Sequence, residues 1–318
     1  MNFKIASRST DELKVAKQEL DDLFAIVRGK NGRVDARALK EIDSQRIEIA
    51  EAVVQLINDE IAVSDPTPML VDVIDGTLGN DYVWQEIDSA LRVVSRSPGS
   101  IPLSQGLTFT EYGVTTSQKE IAVEIPLEKI AVGRVTASQV TTLVAEAVNR
   151  YRIASILSAV DAGVPSGADR SGVTGWNLRY SGLDHDNLDA AVDGMLDESE
   201  SVTIFGRHAA LAGIRTFDDW ADLVQADMQT RGQVGRYRGQ PVLTLRDTTS
   251  KRVSEHLISA KKVYLAAAVK GAKYVQKDLG FLNWAEVDAK SATFGMGLRM
   301  EDGLLVFDPY RYRIVTLS

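Results

Sequence analysis

The chain has 318 residues, of which 44% are hydrophobic and 25% charged, values typical of a globular protein of about two domains. It contains no cysteine, which excludes disulfides, thiol catalysis and cysteine-bound zinc. The net charge of −8 argues against a dedicated nucleic-acid binder. No apolar run approaches the length of a membrane span, and the N-terminus is charged rather than signal-like. We therefore expect a protein that is soluble, used inside a cell and without a membrane partner.

The first 61 residues predict two amphipathic helices, over 10–28 and 35–61, separated by a glycine-containing break at 28–33. Their apolar stripes include the following residues: Leu13, Leu20, Leu23, Ile49, Val53 and Leu56. An amphipathic stripe shows only that something covers it. One hypothesis is a helical hairpin packed on its own domain. The other is an arm that docks on a neighbouring subunit, because no nearby strand in the sequence would shelter it; Leu20, Leu23, Val53 and Leu56 are then candidate contacts.

A change from helical to strand periodicity follows a DPTP linker at 65–68. The segment Gln85–Ser117 predicts a long two-stranded excursion whose tip carries Pro98, Gly99 and Pro102. Each arm would reach about 50 Å if fully extended. A lone hairpin of that length is not stable in water. Either it folds back on its own domain or it lies across another subunit. We expect the second, which is the more economical explanation for such length without a strong apolar face, with Arg92, Arg96 and Pro98 among its contacts.

The segment 136–160 predicts one long helix, about 37 Å in length, with strand-like segments on both sides. Thr136 and Gln139 fit a capping box at its start. One apolar face has helical spacing and consists of Val140, Leu143, Val144, Ala147, Tyr151, Ala154, Leu157 and Val160. Gly163 is expected to supply a left-handed stop, and Pro165 a residue that does not continue the helix.

The remainder of the chain predicts a second, α/β or α+β, domain. An acidic helix over 183–200 is followed by a strand at 202–205, a helix at 218–230 and strands at 241–245 and 263–268. From Trp284 onwards the pattern predicts a strand, a turn over Met300–Gly303 and a final strand.

Candidate chemical sites in this region are few. Asp184 and Asp186 have the spacing of a calcium loop, but Leu188 and Asp189 stand where an oxygen ligand and a glycine are required. In FGMGLRMEDG, 294–303, Met300 occupies the third glycine position of a dinucleotide fingerprint, and a strand rather than a helix follows. We therefore expect no catalytic residue, no metal and no cofactor. A carboxylate-dependent enzyme using Asp184 or Asp186 is the remote alternative.

Two basic stretches have an alternative interpretation as anion-binding surfaces. RGQVGRYRGQ, 231–240, carries Arg231, Arg236 and Arg238 among glycines, and either cradles phosphates or forms a loop before the next strand. Lysines and an arginine also accumulate over 251–277, where they either contact nucleic acid weakly or form a solvated surface.

The order of these parts resembles the major capsid proteins of tailed bacteriophages, which have the HK-ninety-seven-type shell fold. The resemblance covers about residues 60–318. It depends on four stretches, taken in order: VTIFGRHAALAGIRTF at 202–217, YRGQPVLTLRD at 237–247, VYLAAAVKGAKYVQKD at 263–278 and GLRMEDGLLVFDPYRYRIV at 297–315. They correspond to the family's strand-then-helix, its G-x-P-V strand, its late core strand and its closing strands.

The resemblance implies an α+β, HK-ninety-seven-like capsid fold with an inserted axial α/β domain. The implied parts are an N-terminal helical arm at 1–61, the start of the peripheral domain at 62–84, an extended loop at 85–117, the peripheral domain with its spine helix (136–160) at 118–182, the axial domain at 183–285 and C-terminal strands returning to the peripheral domain at 286–318. Some family members weld their shells with a lysine–asparagine bond from the extended loop. Residues 85–118 contain no lysine, so we do not expect that bond here.

The resemblance also implies a function, that of a shell subunit without an active site. Such a protein would assemble with itself into the pentamers and hexamers of an icosahedral shell around double-stranded DNA, which it would contact weakly and without sequence preference. Scaffold and portal proteins are further possible partners. The expected location is the virion capsid, assembled in the host cytoplasm. An encapsulin-like bacterial compartment that holds cargo enzymes is the alternative within the same fold.

Overall fold

The computed structural model describes residues 10–28, 34–76, 82–88, 108–165, 177–197, 199–216, 235–247, 256–277 and 279–317. The helices within these ranges are α1 (Thr10–Ala25), α2 (Ala36–Ser44), α3 (Arg46–Ser64), α4 (Thr67–Leu70), α5 (Leu127–Ala131), α6 (Ala137–Gly163), α7 (His185–Leu196) and α8 (His208–Leu211). The strands are β1 (Asp72–Asp75), β2 (Tyr82–Asp88), β3 (Thr108–Val114), β4 (Ser117–Pro126), β5 (Arg179–Ser181), β6 (Val202–Arg207), β7 (Arg236–Tyr237), β8 (Gln240–Leu245), β9 (Lys262–Ala267), β10 (Ala272–Gln276), β11 (Gly280–Asp288), β12 (Thr293–Val306) and β13 (Tyr312–Thr316). The expected helix at 218–230 lies outside the described residues.

Two main sheets and a separate hairpin organise these strands. The five-stranded sheet has the order β1-β10-β12-β11, and β4 pairs with the other side of β12. The six-stranded sheet has the order β5-β13-β9-β6-β8-β7, and among the described residues β2 pairs with β3 alone. The resemblance assigned the last strand, within 286–318, to the peripheral domain and β10, within 183–285, to the axial domain. The structure instead pairs β13 with β9 in the six-stranded sheet and places β10 and β11 in the five-stranded one.

The long helix α6 has 27 residues, a length of about 40 Å, and packs against both main sheets. Its predicted capping box is confirmed, because the Gln139 amide donates to Thr136 Oγ1 at 3.2 Å while the Thr136 amide donates to Gln139 Oε1 at 3.1 Å. The N-terminal half lies in one hydrophobic cluster with α1, α3 and the five-stranded sheet. The C-terminal half, including Ile156 and Val160, lies in a second cluster with Phe205 and Tyr264 of the six-stranded sheet.

The end of α6 differs from the prediction. Gly163 is the last helical residue and is not left-handed, and the helix ends where Val164 turns extended at φ −78°. A Cβ built on Gly163 would lie 3.2 Å from the side chain of Val306. The glycine therefore permits a close approach of helix and strand rather than a change of backbone direction.

The apolar face of α6 is also different in its N-terminal half. The buried residues there are Ala137, Thr141, Ala145 and Val148, whereas Leu143 is 64% exposed and Ala147 is exposed. The covered face is rotated away from the predicted one because α1 and α3 pack on it. The predicted face of Val140, Leu143, Val144 and Ala147 is left as an open groove wall.

The N-terminal helices pack on their own chain. The predicted helix over 35–61 is two helices, broken at Gln45, and α3 packs on both α6 and β11. Asn58 on α3 donates to the Leu279 carbonyl at 3.0 Å and accepts from the Leu279 amide at 2.9 Å, beside β11. The expectation that no strand would shelter these helices is therefore wrong, since β11 does so from a distant part of the sequence.

The expected turn at Met300–Gly303 is also wrong. These residues lie within the continuous strand β12, and the chain reverses instead between Asp288 and Thr293. Glu301 and Asp302, which resemble turn residues in the sequence, are buried in ion pairs. Among the residues that the structure describes, no helix is both long and apolar enough to cross a membrane.

Candidate assembly surfaces

The hairpin of β2 and β3 is the first candidate surface. The two strands pair antiparallel from Tyr82↔Val114 to Asp88↔Thr108, and within the described ranges no third strand joins them. Val83 and Phe109 are more than half exposed on this hairpin. The predicted two-stranded excursion is thus confirmed at its base. The predicted contacts Arg92, Arg96 and Pro98 belong to residues 89–107, which lie outside the described residues.

The base of the hairpin is fixed to the five-stranded sheet by close packing. Val114 is buried, and a Cβ built on Gly303 of β12 would lie 2.7 Å from its side chain and 2.8 Å from the carbonyl oxygen of Thr115. The ring of Tyr112 lies 5.7 Å from that of Phe307. Only glycine at position 303 leaves room for the chain to pass from β3 into β4 at this point, so the base of the hairpin is packed tightly against β12.

A buried polar network lies beneath this base. Lys277 donates to Glu301 Oε1, and Thr116, between β3 and β4, donates to the same oxygen at 2.6 Å. The side chain of Lys277 is 1% exposed. Two hydrogen bonds hold the pKa of Glu301 below its ordinary value, because both stabilise the carboxylate. The bond from Lys277 has the larger effect and the bond from Thr116 the smaller. The network therefore connects the hairpin base to β12 and to the residue that follows β10.

A second pair extends the network to α6. Lys119 on β4 pairs with Asp302, whose other oxygen accepts from Tyr274 Oη at 2.8 Å. Burial lowers the pKa of Lys119, but hydrogen bonds to Asp302 and Tyr151 outweigh this effect and raise it overall. Tyr151 belongs to α6, so the hairpin base, the sheet and the long helix are mutually braced.

The six-stranded sheet is tied to α6 by Asp247, whose side chain is fully buried just after β8. Asp247 Oδ1 lies 3.0 Å from Arg150 Nε on α6, and its Oδ2 accepts from the Ile258 amide at 3.0 Å. His256 Nδ1 lies 3.3 Å from the same Oδ2. These contacts give Asp247 a structural role, because its oxygens are directed to groups of the chain itself.

The acidic helix has local structural roles rather than the geometry of a metal site. Asp184 caps α7, accepting from the Asn187 amide at 2.7 Å. Arg238 pairs with Asp193 at 2.8 Å and with Asp189 at 3.3 Å, so its charge is directed to the helix rather than to a phosphate. In the described parts of the chain, no group of three or more His, Cys, Asp or Glu side chains is placed to hold a metal ion.

The basic stretch 251–277 is not the continuous charged surface that the sequence suggested. Lys270 and Lys277 are buried, and Lys262 pairs with Asp161 at 2.6 Å. Burial lowers the pKa of Lys270, with a partial offset from Asp72. Lys261 is exposed, and Arg231, Lys251 and Arg252 lie outside the described residues.

The other predicted contact residues lie in the N-terminal helices. Leu20, Val53 and Leu56 are buried in the chain's own core, and Leu23 packs against that core. The structure therefore shows the intrachain packing that the sequence left as one of two hypotheses. A further contact of these residues with a neighbouring subunit stays a prediction.

No family model and no curated protein match the sequence, but solved structures do resemble the fold. The mature capsid of bacteriophage PhiM1 has a TM-score of 0.53 at 8% identity, covering 78% of this chain and 85% of that one. The capsid of cyanophage P-SCSP1u has a TM-score of 0.55 at 12% identity, covering 78% and 86%. The capsid of a native GTA particle has a TM-score of 0.53 at 12% identity, covering 79% and 89%. The chain therefore has the α+β fold of phage major capsid proteins, the HK-ninety-seven-type shell fold.

Proposed function

We propose that this protein is a major capsid protein that assembles with itself into an icosahedral shell enclosing double-stranded DNA. The observation that carries the proposal is the β2–β3 hairpin, which projects from a braced base on a fold shared with the capsids of PhiM1 and cyanophage P-SCSP1u. A two-stranded hairpin is at best marginally stable on its own. Contact with a neighbouring subunit would supply the missing cover for the exposed Val83 and Phe109.

The proposed subunit acts by association and has no catalytic site. Asp184, one of the two carboxylate candidates in the sequence, caps a helix, and Asp247 is directed to groups of its own chain. The proposed assembly consists of pentamers and hexamers in a virion capsid formed in the host cytoplasm. Scaffold and portal proteins, and weak, sequence-independent contact with packaged DNA, belong to the same proposal.

Negative-stain electron microscopy of the purified full chain, with light scattering in solution, tests this function directly. We expect closed shells, or rings of five and six subunits that precede them. A protein that stays monomeric at every concentration would contradict the proposal. Shells that are purified from the cells that produce them, and that contain a protein cargo and no DNA, would favour the encapsulin-like compartment instead. An enzymatic activity that is lost in Asp184→Ala together with Asp186→Ala would favour the carboxylate-dependent enzyme.

A further inference from the structure

An apolar groove of about 780 Å³ lies between α6 and β4. Its helical wall is formed by Val140, Leu143, Val144, Ala147 and Tyr151, and Ile121 and Val123 of β4 contribute to the opposite wall. Leu143 is 64% exposed. Apolar residues gathered in one open groove commonly mark a binding surface.

The strand that borders this groove has an open edge. β4 pairs with β12 from Ser117↔Asp302 to Pro126↔Thr293, and in the described residues no strand pairs with its other edge. The backbone amides and carbonyls of that edge form a template for an added strand. Glu120 and Glu124 are exposed on β4, and Glu146 is exposed on α6. The groove is therefore suited to an extended, cationic segment with an apolar residue at every second position.

The first residues of the chain have this pattern. They lie outside the described residues, and their sequence is MNFKIASRS over 1–9. Met1, Phe3 and Ile5 alternate with the polar Asn2 and Lys4, which is the period of a strand with one apolar face. Residues 1–9 carry Lys4 and Arg8 and no acid, so their charge is complementary to that of the glutamates beside the groove.

We propose that residues 1–7 of a neighbouring copy add a strand to the open edge of β4. Phe3 and Ile5 enter the groove beside Leu143 and Val144, and Lys4 lies on the opposite face, near Glu120 and Glu124. Backbone pairing holds the strand, and the alternating apolar residues fix its register. The inference rests on the proposed function, since it needs a second copy of the chain beside the first.

The position of α1 favours a neighbouring copy over the same chain. Asp21 accepts from the Ser138 amide at 2.8 Å, and Lys17 donates to Thr142 at 3.1 Å, which places α1 on that face of α6. At 3.6 residues per turn, Thr142 lies about 160° around the helix from Val144. The five Cα-to-Cα steps from Ile5 to Thr10 span about 17 Å at most. A path around a helix about 10–12 Å wide is about as long, so little length is left for Ile5 to enter the groove of its own chain.

The absence of native cysteine allows a direct test. One chain carries Ile5→Cys and a second, separately purified, carries Leu143→Cys; the two are mixed, assembled, and treated with a short thiol–thiol cross-linker. We expect a cross-link between residue 5 of one copy and residue 143 of another, identified by mass spectrometry of the joined peptides. The matched control replaces Leu143→Cys by Val269→Cys, because Val269 is also 64% exposed and lies outside the groove. It should give little or no product.

The outcomes separate this inference from the function on which it rests. Particles that form without the 5–143 cross-link would overturn the inference and leave the capsid proposal standing. A chain with both cysteines that cross-links within isolated monomers would also overturn it, because the segment would then bind its own groove. If the unmodified chain forms no assembly at all, the proposed function fails and the inference fails with it.

A second pair of variants tests the alternation itself. Phe3→Ser with Ile5→Ser removes the side chains that enter the groove, whereas Asn2→Ser with Ala6→Ser alters the other face of the segment. We expect the first variant to lower particle yield at least about tenfold, since two large apolar side chains lose their burial. The second should assemble like the unmodified chain. Circular dichroism should be equal in both, and equal particle yields would contradict the proposal.

Discussion

At the level of single residues, the charges within β12 show that residues typical of an exposed turn can be buried inside a strand. Glu301 and Asp302 are followed by Gly303, a combination typical of a turn. The structure pairs them with Lys277 and Lys119, and Thr116 and Tyr274 donate further hydrogen bonds. A buried ion pair is tolerated only when such additional donors offset the loss of hydration. Those partners come from β4, β10 and the loops beside them, so no local window of sequence contains them.

Removing Lys277 alone should deprive the buried Glu301 of its closest cationic partner and leave only Arg299, 3.6 Å from its other oxygen, to pair with it. We expect Lys277→Met to lower the free energy of unfolding of the subunit by about 3–5 kcal/mol, measured by urea denaturation. Adding Glu301→Gln to this variant should recover part of the loss, because the buried charge is then gone. Lys261→Met at an exposed site is the control and should change the free energy little. Equal losses in the two lysine variants would contradict this account of the network.

The same carboxyl group predicts a dependence of stability on pH. The pKa of Glu301 is lower in the folded protein than its ordinary value of 4.5, so the unfolded chain binds a proton more readily. Its contribution is therefore fully present above pH 4.5 and is lost as the pH falls from there through the lower folded pKa. We expect Glu301→Gln to flatten the decline of the melting temperature below that pH. A decline as steep as in the unmodified subunit would assign the acid sensitivity to other groups.

At the level of elements, the local signal at the start of α6 was more reliable than the predictions of where helices end and which faces they bury. The capping box at Thr136 and Gln139 located the start of α6 correctly because its hydrogen bonds lie within four consecutive residues. In the N-terminal half of α6 the predicted buried face was wrong, because the true one is made partly of small or polar residues, Ala137, Thr141 and Ala145, against which α1 and α3 pack. A hydrophobic pattern gives such residues little weight, whereas close helix packing favours them.

The extended hairpin can be tested as an element. Deleting Arg92–Gly106 removes its outer part and leaves β2 and β3, whose pairing is anchored at Val114 beside Gly303. We expect a soluble subunit with unchanged circular dichroism that no longer forms closed shells, because the surface that overlaps a neighbour is missing. Electron microscopy of the variant beside the unmodified chain gives the comparison. Normal particles from the deletion variant would show that the hairpin is dispensable for assembly.

At the level of the whole molecule, the order of parts was predictable and the sharing of strands between sheets was not. The resemblance rested on four stretches in sequence, and the fold of the solved capsids agrees with it. The placement of β13 beside β9 depends on pairing between residues far apart in the chain, as does the cover that β11 gives to α3. Periodicity reports which faces are apolar but does not identify their partners. The groove beside β4 likewise became visible only once α6 and β4 were placed together.

The distribution of charge over the whole molecule predicts weak contact with DNA. The net charge is −8, Lys270 and Lys277 are buried, and Arg238 is paired with the acidic helix α7. Within the two stretches that the sequence offered as anion-binding surfaces, most of the described cations are therefore buried or paired and are not placed to displace counterions from phosphate. We expect the free subunit to bind duplex DNA in low salt, without sequence preference, and to lose nearly all of that binding at physiological salt, as measured by fluorescence anisotropy.

A comparison of two duplexes of equal length and different sequence, each titrated at both salt concentrations, separates the possible outcomes. Equal and salt-sensitive affinities agree with a shell wall along which DNA moves without adhering. Binding that resists salt and distinguishes the two sequences would require base contacts, which phosphate attraction alone does not provide. It would contradict the capsid proposal and direct attention to the arginines of 231–238, of which Arg236 is exposed. The salt and sequence dependence of DNA binding therefore tests the proposed function of the whole particle as well as the role of the 231–238 arginines.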